Sequence, residues 1–245
     1  MFIVVRFSAM IRACTALLAV SLALSIMGAV RRDDGEPAAA VSAPAAGPVL
    51  VIDPGHGGLD GGAVGADGTV ESTVNLDVAL KLEALVRFCG GNAVLTRESE
   101  ELDYPDESAS IAAKKAADQH QRLELINSTP GAVLLSIHQN KYTSPQPRGP
   151  QAFFGNEPGS SELAELIQDK MNSALTGGRR VAAPASDDIY LMRSAQCPAV
   201  LIECGFLSNP EECALLANGE YRTKISLCLL SAWMESGEVR YGGYA

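Results

Sequence analysis

Two of the three histidines in this chain lie next to apolar runs that have the composition of buried strands. His56 lies in the glycine-rich segment VIDPGHGGLDGGAVG, just after the run VLVID, and His138 ends the run AVLLSIH. Imidazole is a common metal ligand, and it titrates near neutral pH. Both histidines are therefore candidates for metal binding or proton transfer.

A carboxylate lies inside a third apolar run, AVLIECG, where Glu203 has hydrophobic neighbours. Burying a lone carboxylate is costly, so a charge at this position needs a metal, a cation or a role in proton transfer. Glu203 could act as a general base towards a water whose pKa a metal has lowered. The structural alternative is a buried ion pair with Arg97 or Arg193, and the sequence leaves it open.

The glycine loop and the helix after it contain the candidates for a third metal ligand. Catalytic zinc takes three protein ligands, typically His and Glu, and keeps a fourth position for water. Glu71, in GTVESTVNLDVALKL, suits this role, and Asp60 and Asp67 are rivals within the loop. Glu71 could equally be a first-turn acid that complements the dipole of a helix.

Other functions for these residues are less well supported. The glycine loop matches the dinucleotide-binding pattern G-x-G-x-x-G loosely, and it lacks the Lys and Ser or Thr of a Walker motif. We expect His120 to be a solvated helix residue. Cys204 follows Glu203 directly, so in a strand it points to the opposite face and belongs to the core rather than to a Cys–His nucleophile.

The elements that must position these residues alternate along the chain. Apolar runs predict strands at residues 49–53, 93–97, 132–138, 151–154 and 199–205. Helical patterns lie between them, at residues 72–88, 111–126, 161–175 and 220–235. This alternation predicts a single α/β domain with a mostly parallel twisted sheet and helices on both faces. Ligands bind at the carboxyl ends of such strands, where the two histidines and Glu203 would meet.

The N-terminal region does not share this pattern. Arg6 and Arg12 precede an uncharged apolar run, which predicts a signal peptide or membrane anchor over residues 1–32, and we favour the anchor. An Ala/Pro-rich linker is predicted over residues 33–48, followed by one catalytic domain over residues 49–240. The protein is therefore expected to be exported.

Charge and cysteine content exclude some classes of protein. The formal net charge of −10 argues against a nucleic-acid partner, which would need a basic patch. Cys14 lies in the N-terminal apolar run, and the other five cysteines show no CxxC spacing. They are predicted to be small buried hydrophobes, with one disulfide left open.

The motifs DPGHGG, SIH-x-N and E-x-GFLSN, in this order, resemble those of zinc-dependent N-acetylmuramoyl-L-alanine amidases of the amidase-3 type. The resemblance extends over nearly all of residues 49–217. It implies that His56, Glu71 and His138 bind Zn²⁺ and that Glu203 is the catalytic carboxylate. It also implies hydrolysis of the amide between N-acetylmuramic acid and L-alanine in peptidoglycan.

Within that family the chain most resembles the CwlD-like spore cortex amidases, which remove stem peptides so that muramic-δ-lactam can form. The implied partners are peptidoglycan with its stem peptide and a membrane bound by the N-terminal segment, and a protein activator stays open. The implied location is the outer face of the cytoplasmic membrane, the cell wall or the forespore intermembrane space. The alternatives are a non-catalytic zinc-containing peptidoglycan-binding module and a zinc peptidase acting on the stem peptide.

The segment 141–150 contains three prolines and is predicted to be a stiff surface loop. We expect it to form one wall of an open groove. Lys141 and Arg148 in this loop either contact carboxylates of the peptide or remain solvated.

Overall fold

The computed structural model describes residues 47–106, 108–175 and 179–241, with side chains up to residue 237. Strands β1 to β6 comprise Val49–Pro54, Asn92–Leu95, Ala132–Asn140, Gln151–Phe154, Ala183–Pro184 and Ala199–Phe206. Helices α1 to α6 comprise Glu71–Phe88, Ile111–Ser128, Ser160–Ala174, Tyr190–Ser194, Pro210–Ala217 and Gly219–Tyr241. The predicted anchor over residues 1–32 and nearly all of the linker lie outside the described residues. Within the described part, no helix is long and apolar enough to cross a membrane.

The six strands form one mixed sheet in the order β2-β1-β3-β6-β4-β5. Strands β2, β1, β3 and β6 are parallel, as predicted, whereas β4 is antiparallel to β6 and pairs in parallel with β5. The reversal follows from the short connection of residues 141–150, which contains no helix. A parallel crossover needs about a dozen residues or more, so β4 returns in the opposite direction beside β6.

Both faces of the sheet are covered, because successive strand residues point to opposite sides. The larger core lies under α1, α3 and α6 and includes Ile52 of β1 and Leu135 of β3. The smaller core, on the opposite face, includes Val51 and Leu134 together with Ile126 of α2. Only α2 and the short α4 cover this second face among the described residues, and its carboxyl edge stays open.

Three short elements were not predicted: β5, α4 and α5. β5 has two residues and α4 has five, too few for a periodic pattern. The start of α5 did have a signal in the sequence. Asn209 caps this helix by accepting the N–H groups of Glu211 and Glu212, and Pro210 occupies its first position. Both choices are typical of helix N-termini.

A buried ion pair joins β1 to α2. Asp53 and Arg122 are 1% and 4% exposed, and Nη1 of Arg122 lies 2.8 Å from Oδ1 of Asp53. The hydroxyls of Thr96 and Ser136 also donate to this carboxylate, at 2.7 and 2.6 Å. Burial alone would raise the pKa of Asp53, but Arg122 and the hydroxyls hold it at about 2.

We expect Asp53→Asn to lower the free energy of unfolding by about 3–5 kcal/mol, because it leaves the buried Arg122 without its counter-charge. The pKa of Asp53 in the folded state lies well below the ordinary value of an aspartate. The ionised carboxylate therefore stabilises the fold above about pH 4, and this contribution is lost as the pH falls towards about 2. Urea unfolding at a series of pH values measures both effects, with the exposed Asp103→Asn as the control. If the free energy of unfolding fell equally at low pH in the wild type and in Asp53→Asn, this assignment would be contradicted.

Candidate active site

The loop that carries His56 is held by two buried arginines. Arg97 donates from Nε to the carbonyl of Pro54 at 2.9 Å and from Nη2 to that of Gly55 at 3.2 Å. Arg122 donates from Nη1 to Pro54 at 2.8 Å and from Nη2 to the carbonyl of His56 at 2.7 Å. His56 has a φ of 62°, and it is the only non-glycine residue with a positive φ among those described. Such a conformation persists where the surroundings impose it, as the two guanidinium groups do here.

Glu71 reaches the same point from the start of α1. Its Oε2 accepts the N–H of Ala63 at 2.8 Å, and its Oε1 accepts the N–H of Gln139 at 3.1 Å. The same Oε1 lies 3.3 Å from Nε2 of His56 and 3.1 Å from Nδ1 of His138. Glu71 does stand in the first turn of a helix, but its carboxylate lies between two imidazoles.

His56, Glu71 and His138 form a compact cluster. One ligand atom from each residue lies within 4.8 Å of the others, and the two imidazole ring centroids are 5.1 Å apart. Two imidazoles and a carboxylate make up a donor set that catalytic metal sites use. The cluster could therefore hold a metal ion.

Asp60 and Asp67, the rival candidates in the loop, lie outside this cluster. Asp60 accepts a hydrogen bond at 3.0 Å from Nδ1 of His56, so it orients the imidazole ring. Asp67 contacts Sγ of Cys213 at 3.1 Å and accepts the N–H of Thr69. A carboxylate behind a histidine fixes the ring and its tautomer, which is a supporting role.

The charges within the cluster shift the pKa values of its members. Burial tends to lower the pKa of His56, but hydrogen bonds to Glu71 and Asp60 raise it to about 9. Burial tends to raise the pKa of Glu71, but the two histidines hold it well below its usual range. A metal ion entering the site would therefore displace a proton from the imidazole.

Glu203 is the partner of His138 in the register between β3 and β6, so the two side chains lie side by side on one face. Its Oε2 is buried and has no hydrogen-bond partner among the described residues. The ion pairs with Arg97 or Arg193 do not form, since both arginines donate to backbone carbonyls instead. Burial, reinforced by the charge of Glu71 and opposed by both histidines, raises the pKa of Glu203 to about 7.

Two adjoining cavities at this edge of the sheet form what we call the edge groove. The β1 arm, of about 360 Å³, lies beside His56 and is also lined by Lys115. The β6 arm, of about 250 Å³, lies beside Glu203 and Tyr190. Both arms share His138, so the cluster lies where they meet.

The remaining candidates take the places expected from the sequence. His120 is exposed and lies 3.4 Å from the hydroxyl of Tyr190. Cys204 belongs to the larger core, on the face opposite Glu203. All five cysteines of the described domain are free, and Cys89 is the exposed one.

The basic residues of the loop 141–150 already have partners. Lys141 donates to the carbonyl of Val64 at 3.0 Å, and Arg148 forms an ion pair with Glu211 at 3.3 Å. Their predicted contact with the carboxylates of a peptide would have to displace these partners. No sequence pattern singles out Arg180, whose Nη1 donates to Oε1 of Gln151 at 2.9 Å.

Comparisons with known proteins bear on this geometry. Residues 50–232 match the family model described as N-acetylmuramoyl-L-alanine amidase. The chain belongs to this family. The family is described by its amidase activity, so the chain is an amidase, and the known members are zinc metallohydrolases. The resemblance inferred from the motifs is therefore confirmed.

Individual relatives support the same assignment. The germination-specific N-acetylmuramoyl-L-alanine amidase of Bacillus subtilis is 37% identical over 76% of this chain and 78% of its own length. A solved structure of the CwlD amidase from Clostridioides difficile, in complex with the GerS lipoprotein, has a TM-score of 0.75 and 34% identity. It covers 78% of this chain and 99% of that one. The catalytic domain of CwlV from Bacillus (Paenibacillus) polymyxa is 28% identical, with a TM-score of 0.65 over 77% and 97% of the two chains.

Gly62→Ala should disrupt the cluster. An added Cβ would lie 2.6 Å from Oε2 of Glu71 and 2.8 Å from the imidazole of His56. We expect metal affinity to fall by about 10-fold or more, since misplaced supporting groups typically cost about 10–100-fold. Isothermal titration with a divalent metal measures this change. Gly68→Ala is the matched control, because Gly68 also has a positive φ but has open space around it. Equal metal affinities in the two variants would contradict the prediction.

Proposed function

We propose that this amidase depends on zinc, with His56, Glu71 and His138 as the metal ligands and Glu203 as the catalytic carboxylate. We further propose that it cleaves the amide between N-acetylmuramic acid and L-alanine in peptidoglycan. The observation that carries the proposal is the three-residue cluster beside the unpartnered, buried Oε2 of Glu203.

The residues present fit a catalytic zinc site. Two imidazoles and one carboxylate leave room for a fourth ligand, as in catalytic rather than structural sites. Asp60, behind His56, supplies the outer hydrogen bond that metal-binding histidines usually make. Bound zinc would supply a Lewis acid that polarises the scissile carbonyl.

Glu203 would move the protons of the reaction. It accepts a proton from the attacking water as the water oxygen forms a bond to the carbonyl carbon. It then donates that proton to the amide nitrogen as the C–N bond breaks. The products are the lactyl carboxylate of the muramic acid and a peptide with a free amino terminus. Burial holds the pKa of Glu203 above its ordinary value, which favours a carboxyl group that accepts a proton and then returns it.

The biological setting is part of the proposal. The similarity to a germination-specific amidase supports a role in the spore cortex, where removal of the peptide permits formation of muramic-δ-lactam. The structural relative was solved with a lipoprotein, which supports a protein partner for this chain as well. We also propose that residues 1–32 hold the catalytic domain, residues 49–240, at the outer face of the cytoplasmic membrane.

Zinc content tests the ligand assignment. We expect about one zinc per chain, and His56→Ala and His138→Ala should each reduce zinc affinity by at least about 100-fold because each removes a direct ligand. Glu71→Gln should weaken zinc binding as well. Elemental analysis and competition with a chelator measure this, and His120→Ala, at the third histidine, serves as the control. A wild-type protein without zinc, or histidine variants that keep it, would refute the assignment.

Glu203→Gln tests the catalytic role, because glutamine has nearly the same shape but cannot transfer the proton. We expect zinc to be retained and turnover to fall by about 10²–10⁴-fold. Mass spectrometry of digested muropeptides measures turnover, and the wild type should release the whole stem peptide. Release of shorter fragments would indicate a peptidase. Absence of turnover in a zinc-loaded wild type would indicate a binding module. Glu211→Gln, at an exposed acid, is the control.

A further inference from the structure

The position of Glu203 sets a direction for the substrate, and this step rests on the function proposed above. The sheet order places β1, β3 and β6 side by side. His56 follows β1, whereas His138 lies in β3 and Glu203 in β6. The amide nitrogen must lie within reach of Glu203 to receive its proton. The leaving peptide therefore extends from the cluster towards β6 and β4, and the muramoyl group occupies the β1 arm.

The first residue that this peptide would meet beyond Glu203 is Gln151. These two residues are partners in the antiparallel register of β4 and β6, so their side chains lie on the same face of the sheet. Because β4 runs in the opposite direction, its first residue lies at the same edge as the end of β6. Gln151 thus continues the row formed by His138 and Glu203.

Arg180 is held against this row by three contacts. Its Nη1 donates to Oε1 of Gln151 at 2.9 Å, and its Nε donates to the carbonyl of Arg148 at 3.0 Å. Its guanidinium carbon lies 4.9 Å from the ring centroid of Phe206, a cation–π distance. These contacts fix the guanidinium at the β4 end of the row and leave Nη2 without a hydrogen bond to any described residue.

Arg180 also has no carboxylate within ion-pair distance in the described part of the chain. Other cations near the groove do have one: Lys115 pairs with Asp60 at 2.9 Å, and Arg148 pairs with Glu211. Glu212 lies close enough to Arg180 for the arginine's charge to oppose the rise in the pKa of Glu212 that burial causes. Its two oxygens, however, accept backbone N–H groups of Gly149 and Phe206.

We propose that Arg180, which lies beyond the β6 arm of the edge groove on the β4 side, binds a carboxylate of the stem peptide and so sets the direction in which the substrate leaves the groove. Strands are about 4.8 Å apart, so β4 lies about 10 Å from β3. An extended peptide covers about 3.3–3.6 Å per residue. The carboxylate recognised by Arg180 therefore belongs to one of about the first three residues after the scissile amide.

The test compares two muramoyl tripeptides that differ only in whether the carboxyl groups beyond the first residue are free or amidated. The wild type should cleave the tripeptide with free carboxylates with a kcat/KM about 10- to 100-fold higher than that for the amidated tripeptide. A ratio of this size corresponds to one charged hydrogen-bonded contact. The difference should lie mainly in KM, because the contact is remote from the reacting atoms. In Arg180→Met this ratio should fall to about 1, and Arg180→Lys should restore part of it. Thermal unfolding verifies that each variant is folded.

Arg193→Met is the matched control. Arg193 also lies over an aromatic ring, that of Tyr190, and donates to a carbonyl, but it lines a cavity at the other end of β4. The Arg193→Met variant should keep the wild-type ratio of kcat/KM between the free and the amidated tripeptide. A wild-type ratio near 1 would overturn the proposal and leave the amidase assignment intact, whereas failure to cleave either substrate would refute the proposed function. A preference kept in Arg180→Met and lost in Lys115→Met would place the peptide in the β1 arm and overturn the proposed direction.

Discussion

The hydrogen bonds from Arg97 and Arg122 to the glycine loop are the constraint on which the rest of the site depends. Four hydrogen bonds join their guanidinium groups to the carbonyls of Pro54, Gly55 and His56. Without them, the positive φ of His56 would relax towards an ordinary backbone conformation, and its imidazole would move away from Glu71. Arg122 also binds Asp53, so the same side chain links the interior of the sheet to the position of the imidazole.

Strand register places the remaining groups with little freedom. His138, Glu203 and Gln151 lie on three neighbouring strands as direct partners, so they form a row on one face. A slip of one residue in β6 would turn Glu203 into the larger core and Cys204 towards the groove. The apolar residues before them oppose such a slip, because Leu201 and Ile202 already belong to opposite cores.

The sequence predicted the parts of the site that depend on strands and failed where the site depends on loops. His56, His138 and Glu203 could be found because each follows, ends or interrupts an apolar run, and such runs end at the same edge of a sheet. The reversal of β4 depends on the length of a loop without a helix, and periodicity does not report this. Arg180 lies far along the chain from its partners, in a segment without a pattern. For Glu71, the resemblance of the motifs made the choice that spacing alone left open.

Glu203 has no arginine partner among the described residues, and this keeps the pKa of its carboxyl group raised. A neighbouring arginine would favour its charged form and lower its pKa, which would make it a poorer proton acceptor. Arg97 and Arg122 hold the glycine loop instead, with N–H groups directed at its carbonyl oxygens and at Asp53. Neither contributes to the shifted pKa of Glu203, which burial dominates. The two guanidinium groups thus fix the backbone that carries His56 and leave Glu203 without a positive side chain bound to it.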